Sequence, residues 1–148
     1  MCGIVGYLGN KSAKDVIIKG LKRLEYRGYD SAGISTLQNN KLEITKTKGK
    51  VSDLIAELST DTHTGGLGIG HTRYSTTGSS ESRNAQPFVA QGPNGTIALA
   101  HNGNVINALS LREQLITDYG SQVLTTTYSE VIRQFLLSTP GLSSADRI

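Results

Sequence analysis

Between residues 3 and 46 the apolar periodicity changes three times, and no single class of secondary structure accommodates it all. Gly3 to Leu8 is a short apolar run bounded by glycines, which reads as a strand buried on both sides. From Ala13 the spacing becomes helical. Ala13, Val16, Ile17, Gly20, Leu21 and Leu24 share one face, Lys14, Lys19, Lys22 and Arg23 the other, and Ser12 is placed to cap the first turn. Ala32 to Leu37 and Lys41 to Lys46 return to strand character. They join at Gln38-Asn39-Asn40, where Asn tolerates the positive φ of a hairpin turn. An amphipathic helix set among strands has to cover a sheet. Further on, Val51, Leu54, Ile55 and Leu58 mark a short helix. Leu67 to His71 and Thr96 to His101 read as buried strands, separated by a polar stretch rich in Gly, Ser, Asn and Pro. Leu111 to Ile116 and Glu130 to Leu137 carry helical patterns. The expected class is α+β, an antiparallel or mixed sheet covered by helices.

At 148 residues and 36% hydrophobic content, the chain has material for one compact domain and a real core. Its single cysteine excludes an internal disulfide, so nothing points to an oxidising compartment. Met1 to Leu8 lacks the basic flank and long apolar stretch of a signal peptide, and no apolar run approaches membrane-spanning length. The expected location is cytoplasmic, with no membrane partner. The net charge of +3 comes from lysines and arginines mixed with acids, densest from Lys41 to Lys50. Without Trp and with only two Phe, that stretch reads as a solvated face rather than a nucleic-acid groove. One Cys and three His in no ligand-spaced cluster argue against a metal site, and nothing calls for a cofactor.

The only cysteine is residue 2. Initiator Met is removed before small residues, so the mature chain is expected to begin with a thiol and a free α-amine on one residue. A thiol of pKa roughly 8.5 is a strong nucleophile only as thiolate, and an α-amine of roughly 7.7 to 8 can serve as its base, directly or through water. The bland alternative is a frayed terminus with an incidental thiol. The apolar strand that follows argues against fraying.

Three further stretches carry a resemblance: "RLEYRGYDSAGI" (Arg23 to Ile34), "GHTRYSTTG" (Gly70 to Gly78) and "HNGNVIN" (His101 to Asn107). With the Cys2 start, they resemble the glutaminase domain of class II glutamine amidotransferases, the N-terminal-nucleophile enzymes, over most of residues 1 to 137. Residues 1 to about 60 are similar to the glutamine:fructose-6-phosphate amidotransferase branch. From about residue 67, "GHTRYSTTG", "NAQPF" and "IALAHNGNVINALSLREQL" look more like the amidophosphoribosyltransferase branch.

The resemblance implies that residues 1 to 148 are a glutaminase domain and that Cys2 attacks the side-chain amide of glutamine to give a γ-glutamyl thioester and ammonia. It makes Asn102 (side-chain amide) and Gly103 (backbone N–H) the oxyanion donors, each typically worth about 2.7 to 4 kcal/mol. Read on its own, Asn102-Gly103 is a common turn pair. Arg73 corresponds to the arginine that grips the α-carboxylate of glutamine, a task its planar fork suits better than Lys would. Alone it reads as a surface salt bridge. Thr76 and Thr77 fall in the same loop. Arg27 and Gly28 lie in a loop that folds over the nucleophile, and on the residues alone they read as helix termination with Gly28 at the cap. His71 and His101 read as hydrogen-bonded core or rim histidines.

Two departures stand out. In "TTTYSEVI" (Thr125 to Ile132) Tyr128 occupies the place of an Asp that would pair with the α-ammonium of glutamine. Loss of one partner of a desolvated ion pair costs about 3 to 5 kcal/mol. Glu130, two positions along a helix, is expected to face elsewhere. Length is the second departure. The resemblance implies a longer domain, a four-layer αββα sandwich that this chain leaves incomplete at its C-terminus, followed by a synthase or phosphoribosyltransferase domain that receives the ammonia. Uncovered strands invite self-association. A catalytically silent binding or scaffold domain is the alternative reading.

Overall fold

The structure is a computed structural model that describes residues 1–75, 82–92, 95–120 and 128–138; the side chains of Ser82, Tyr119, Tyr128 and Ser138 also lie outside the described set. Strand β1 (Gly3–Leu8) leads to helix α1 (Ala13–Leu24), a 3-10 turn (Glu25–Arg27), the hairpin β2 (Ser31–Gln38) and β3 (Lys41–Lys48), helix α2 (Val51–Glu57) and strand β4 (Leu67–Arg73). The hairpin β5 (Phe88–Gly92) and β6 (Gly95–Leu99) and helices α3 (Ala108–Tyr119) and α4 (Tyr128–Ser138) follow. Every strand pairing is antiparallel, in one sheet of order β1-β4-β2-β3 and a second of order β5-β6.

Helix α1 starts where its pattern places it: the Ser12 hydroxyl accepts from Asp15 N at 3.3 Å, and Ala13, Ile17 and Leu21 are buried. It packs directly on β4 because that strand presents Gly68 and Gly70 to it. A Cβ at Gly70 would meet Ile17 Cγ2 and Leu21 Cδ1, so the helix side chains fill the space the glycines leave. With Ala32, Ile34, Val51 and Leu54 they form the core between the first sheet and helices α1 and α2. The β2–β3 turn falls at Asn39 and Asn40, with φ of 50° and 61°, flanked by the Gln38–Lys41 pair. Two consecutive positive φ values define the tight turn that follows the twist of a hairpin.

The opposite face of the first sheet meets the second sheet. Lys46 on β3 lies over the Phe88 ring at 5.5 Å, and the Gln86 carbonyl rests on Gly33 of β2, where any Cβ would collide with it. Beyond the second sheet, α4 packs on β5, where Leu137 fills the space beside Gly92, and α3 packs on α4. The layers therefore run helix, sheet, sheet, helix.

Several expectations change. Among the described strands β1 lies at the edge of its sheet, not buried on both sides. Gly3, Val5 and Tyr7 turn toward α1, while Ile4 and Leu8, on the other face of this outermost strand, are exposed. Strand β6 is partly exposed rather than buried and ends at Leu99 instead of His101. Strand β5 lies within the stretch read as polar connection. Strand β4 extends two residues past His71 to Arg73.

Candidate active site

Register brings residues 2, 30 and 73 together. Strand β4 is antiparallel to both of its neighbours, with Gly3 opposite Thr72 and Ser31 opposite Arg73. The start of β1, the start of β2 and the end of β4 therefore coincide at one end of the sheet. Because side chains alternate, Arg73 points to the face opposite α1, into the interlayer space, along with His71 and Ile69.

Cys2 sits here, half-buried, with Sγ 3.8 Å from the Tyr74 carbonyl. From across the gap, the Asn102 amide donates from Nδ2 to the Cys2 carbonyl at 3.3 Å. One hydrogen of that amide group is thus used to hold the main chain of Cys2, and a second remains for a ligand. Gly103 follows in an exposed turn, where a Cβ would lie 2.7 Å from His101 Nε2, so the turn can lie against the imidazole only without a side chain. Arg73 is only 4% exposed. Burial pulls its pKa down, while the nearby Cys2 and Asp30 groups push it back up. Among the candidates, Cys2, Arg73, Asn102 and Gly103 are thus gathered at one place.

Arg27 and Gly28 are there too, with a correction. Gly28 follows the 3-10 turn, and its N–H donates to Glu25 O at 3.0 Å. Its φ of −173° is extended backbone, so it is not the left-handed cap that a terminal glycine suggests. Contact is what requires glycine: a Cβ would stand 2.6 to 2.8 Å from the Arg73 and Tyr74 main chain. The Arg27 guanidinium reaches Met1 Sδ at 3.8 Å, in an open cleft of about 380 Å³ lined by Met1, Tyr26, Arg27, Tyr29 and Tyr74. Thr76, Thr77 and the Tyr128 side chain lie outside the described residues. Glu130 is fully buried and accepts from Arg133 at 3.1 Å.

His101 is half-buried and hydrogen-bonded as expected, its Nδ1 3.1 Å from Ser129 Oγ. His71 is buried but differs from expectation. Neither ring nitrogen makes a hydrogen bond of ordinary geometry among the described residues, although the His101 main chain approaches closely enough to favour a proton. Burial dominates and lowers its pKa to about 4, with Arg73 and His101 adding to the effect.

Two participants had not been singled out. Asp30 donates its N–H to Arg73 O at 3.0 Å and accepts from Ser75 N through Oδ2 at 2.7 Å, fixing the chain on either side of Tyr74. Its signal was its place at the end of the "RLEYRGYD" stretch, just ahead of a strand. Gln86 joins the loop before β5 to His101 and Ser129, and its one signal was its place within the "NAQPF" stretch. Among the described residues no group of three His, Cys, Asp or Glu is placed to hold a metal, and no helix is long and apolar enough to cross a membrane.

No protein-family model matches the chain. Curated relatives do. The glutamine–fructose-6-phosphate aminotransferase of Caldanaerobacter subterraneus subsp. tengcongensis is 44% identical over 92% of this chain and 22% of its own length. That of Shewanella oneidensis is 45% identical over 89% of the chain and 21% of its own length. That of Pyrococcus horikoshii is 43% identical over 100% of the chain and 25% of its own length. The chain thus spans about a fifth to a quarter of the relatives it matches. Among solved structures, the glutamine phosphoribosylpyrophosphate amidotransferase of B. subtilis, complexed with ADP and GMP, superposes with a TM-score of 0.87 at 30% identity, over 100% of this chain and 31% of that one. A structure titled as the allosteric regulatory enzyme of purine biosynthesis gives 0.89 at 32% identity, over 100% and 32%. Sequence and fold agree that this chain is a glutamine amidotransferase domain with the N-terminal-nucleophile fold.

Proposed function

We propose that this domain hydrolyses the side-chain amide of glutamine through Cys2 and delivers the ammonia to a synthase domain. The observation that carries this reading is the convergence of Cys2, Arg73 and Asn102, from three distant parts of the chain, around one thiol. With Met1 removed, the α-amine of Cys2 takes the thiol proton, directly or through water. Sγ attacks the amide carbon of glutamine, and the carbonyl oxygen becomes an oxyanion held by Asn102 Nδ2 and the Gly103 N–H. Collapse breaks the C–N bond. The leaving nitrogen takes the proton from the amine and departs as ammonia, leaving a γ-glutamyl thioester. Water then attacks the thioester, releasing glutamate and restoring the thiol. Arg73 grips the α-carboxylate, and Arg27 with Gly28 closes the mouth over the nucleophile.

Identity of 41–46% to aminotransferases over at least 89% of the chain, against 30–32% to the two amidotransferase structures, favours fructose 6-phosphate over phosphoribosyl pyrophosphate as the acceptor served. The setting is cytoplasmic, and self-association through the exposed β1 edge belongs to the same reading.

The test is intact-mass spectrometry of the folded chain, processed to begin at Cys2, after treatment with 6-diazo-5-oxo-norleucine. An adduct on Cys2, absent in Cys2→Ala, is the expected result. A folded, processed chain that takes up no reagent overturns the enzymatic reading in favour of a silent module. Likewise, a chain that retains Met1 should show no glutamine turnover.

A further inference from the structure

The first sheet fixes Cys2 and Arg73 by register, but Asn102 and Gly103 come from beyond the second sheet, and something must set their distance from the thiol. The buried Gln86 carboxamide makes three hydrogen bonds there. Oε1 accepts from His101 N at 2.7 Å, and Nε2 donates to His101 O at 3.2 Å and to Ser129 Oγ at 3.1 Å. Both main-chain groups of the residue before Asn102 are therefore held by one side chain that is only 5% exposed. Ser129 Oγ, accepting from Gln86, has its own proton free to donate to His101 Nδ1 at 3.1 Å. That arrangement leaves the imidazole hydrogen on Nε2, beneath Gly103. Gln86 is itself seated by its carbonyl on Gly33, so the clamp is referenced to the strand next to β4.

We propose that Gln86 is a positioning residue for the oxyanion site: by clamping the main chain of His101 it holds Asn102 and Gly103 at the distance from Cys2 that thioester formation requires. This rests on the reading of Cys2, Asn102 and Gly103 given above. A side chain with this role acts on a step that develops an oxyanion and leaves untouched a reaction of the same thiol that develops none. Alkylation of Cys2 by iodoacetamide is such a reaction, since displacement of iodide at a CH2 carbon builds no negative oxygen.

In the chain beginning at Cys2, Gln86→Leu should lower kcat for glutamine hydrolysis by about tenfold to a hundredfold, the range that roughly 1 Å of misplacement commands. KM should stay within about twofold, because the interaction acts mainly in the transition state. The rate of iodoacetamide alkylation should also stay within about twofold of the parent. A kcat within twofold of the parent overturns the proposal, and so does an alkylation rate that falls in step with kcat, which marks a purely structural role. Should Gln86→Leu fail to fold, Gln86→Glu replaces it. That variant keeps the acceptor for His101 N–H, loses both donations and should show the same split between turnover and alkylation. Amide hydrogen exchange at His101 tests the clamp without any activity: it should speed by at least about tenfold in Gln86→Leu, and unchanged exchange refutes the clamp. A parent with no turnover but with His101 exchange that responds to Gln86→Leu faults the reading of Cys2 and not the clamp.

Discussion

Replacing His71 with Leu should flatten the acid side of the stability curve. In the folded chain burial lowers the His71 pKa to about 4, while an unfolded histidine titrates near 6.5. The fold therefore favours the neutral ring. This contribution is fully present above pH 6.5 and is lost as the pH falls toward 4, because the unfolded chain takes up a proton that the folded one refuses. Between pH 7 and pH 4 the loss amounts to about 3 kcal/mol, with a slope approaching 1.4 kcal/mol per pH unit in the middle of the window. His63 and His101 are also pushed down by burial, so the parent loses more than this in total, and only the difference between parent and variant isolates His71. At pH 7 the substitution should cost little. Both ring nitrogens lack an ordinary hydrogen bond among the described residues, and Leu removes two polar atoms of that kind at similar volume. The assay is urea unfolding of both proteins at pH 7, 5.5 and 4. Parallel loss of stability in parent and variant would refute the reasoning, since it would mean that His71 accepts its proton without resistance from its surroundings.

Gly28→Ala should destabilise the domain by about 1 to 3 kcal/mol, because its Cβ meets the Arg73 and Tyr74 main chain and not a side chain that can yield; thermal unfolding reads this, and an unchanged midpoint counts against close contact there. Arg73→Lys should raise KM for glutamine by about tenfold or more with a smaller change in kcat, as a point charge replaces a bidentate fork, and steady-state kinetics would show the opposite pattern if Arg73 acted on the chemical step. Tyr128→Asp should tighten glutamine binding, since leaving one partner of such a desolvated pair unmatched costs about 3 to 5 kcal/mol; a KM that does not fall removes the ammonium-pairing account of that position.

What the sequence made legible was periodic. Helix α1, its Ser12 cap, the Asn39-Asn40 turn and strand β4 each rest on a pattern contained within one element, and each appears where its pattern lies. Burial of whole faces was not legible. Strand β1 is apolar at every position except its glycines, yet its exposure follows from being an edge strand, which depends on the order of strands far away in sequence. Gly28 shows the same limit from another side. Its identity suggested a helix cap, while the constraint is the backbone of residues 73 and 74, 45 and 46 positions later. Cys2, Arg73 and the Asn102-Gly103 pair stood out because each sits in a distinctive short motif. Asp30 and Gln86 act by bonding other residues' main chains, so their importance exists only once the chain is folded.

The two halves of the site are held by different physics. Cys2, Asp30 and Arg73 meet through a hydrogen-bonded register, and slipping β4 by one residue would turn Arg73 to the α1 face and bring Gly68 and Gly70 out from under the helix. Such a slip costs the whole core, so the placement of Cys2 and Arg73 is as robust as the first sheet itself. Asn102 and Gly103 have no ladder. Among the described residues they are held by the 3.3 Å bond to Cys2, the Gln86 carboxamide and the packing of one sheet on another. Perturbations that loosen the layers without breaking them should therefore impair acyl transfer before they impair thiol reactivity.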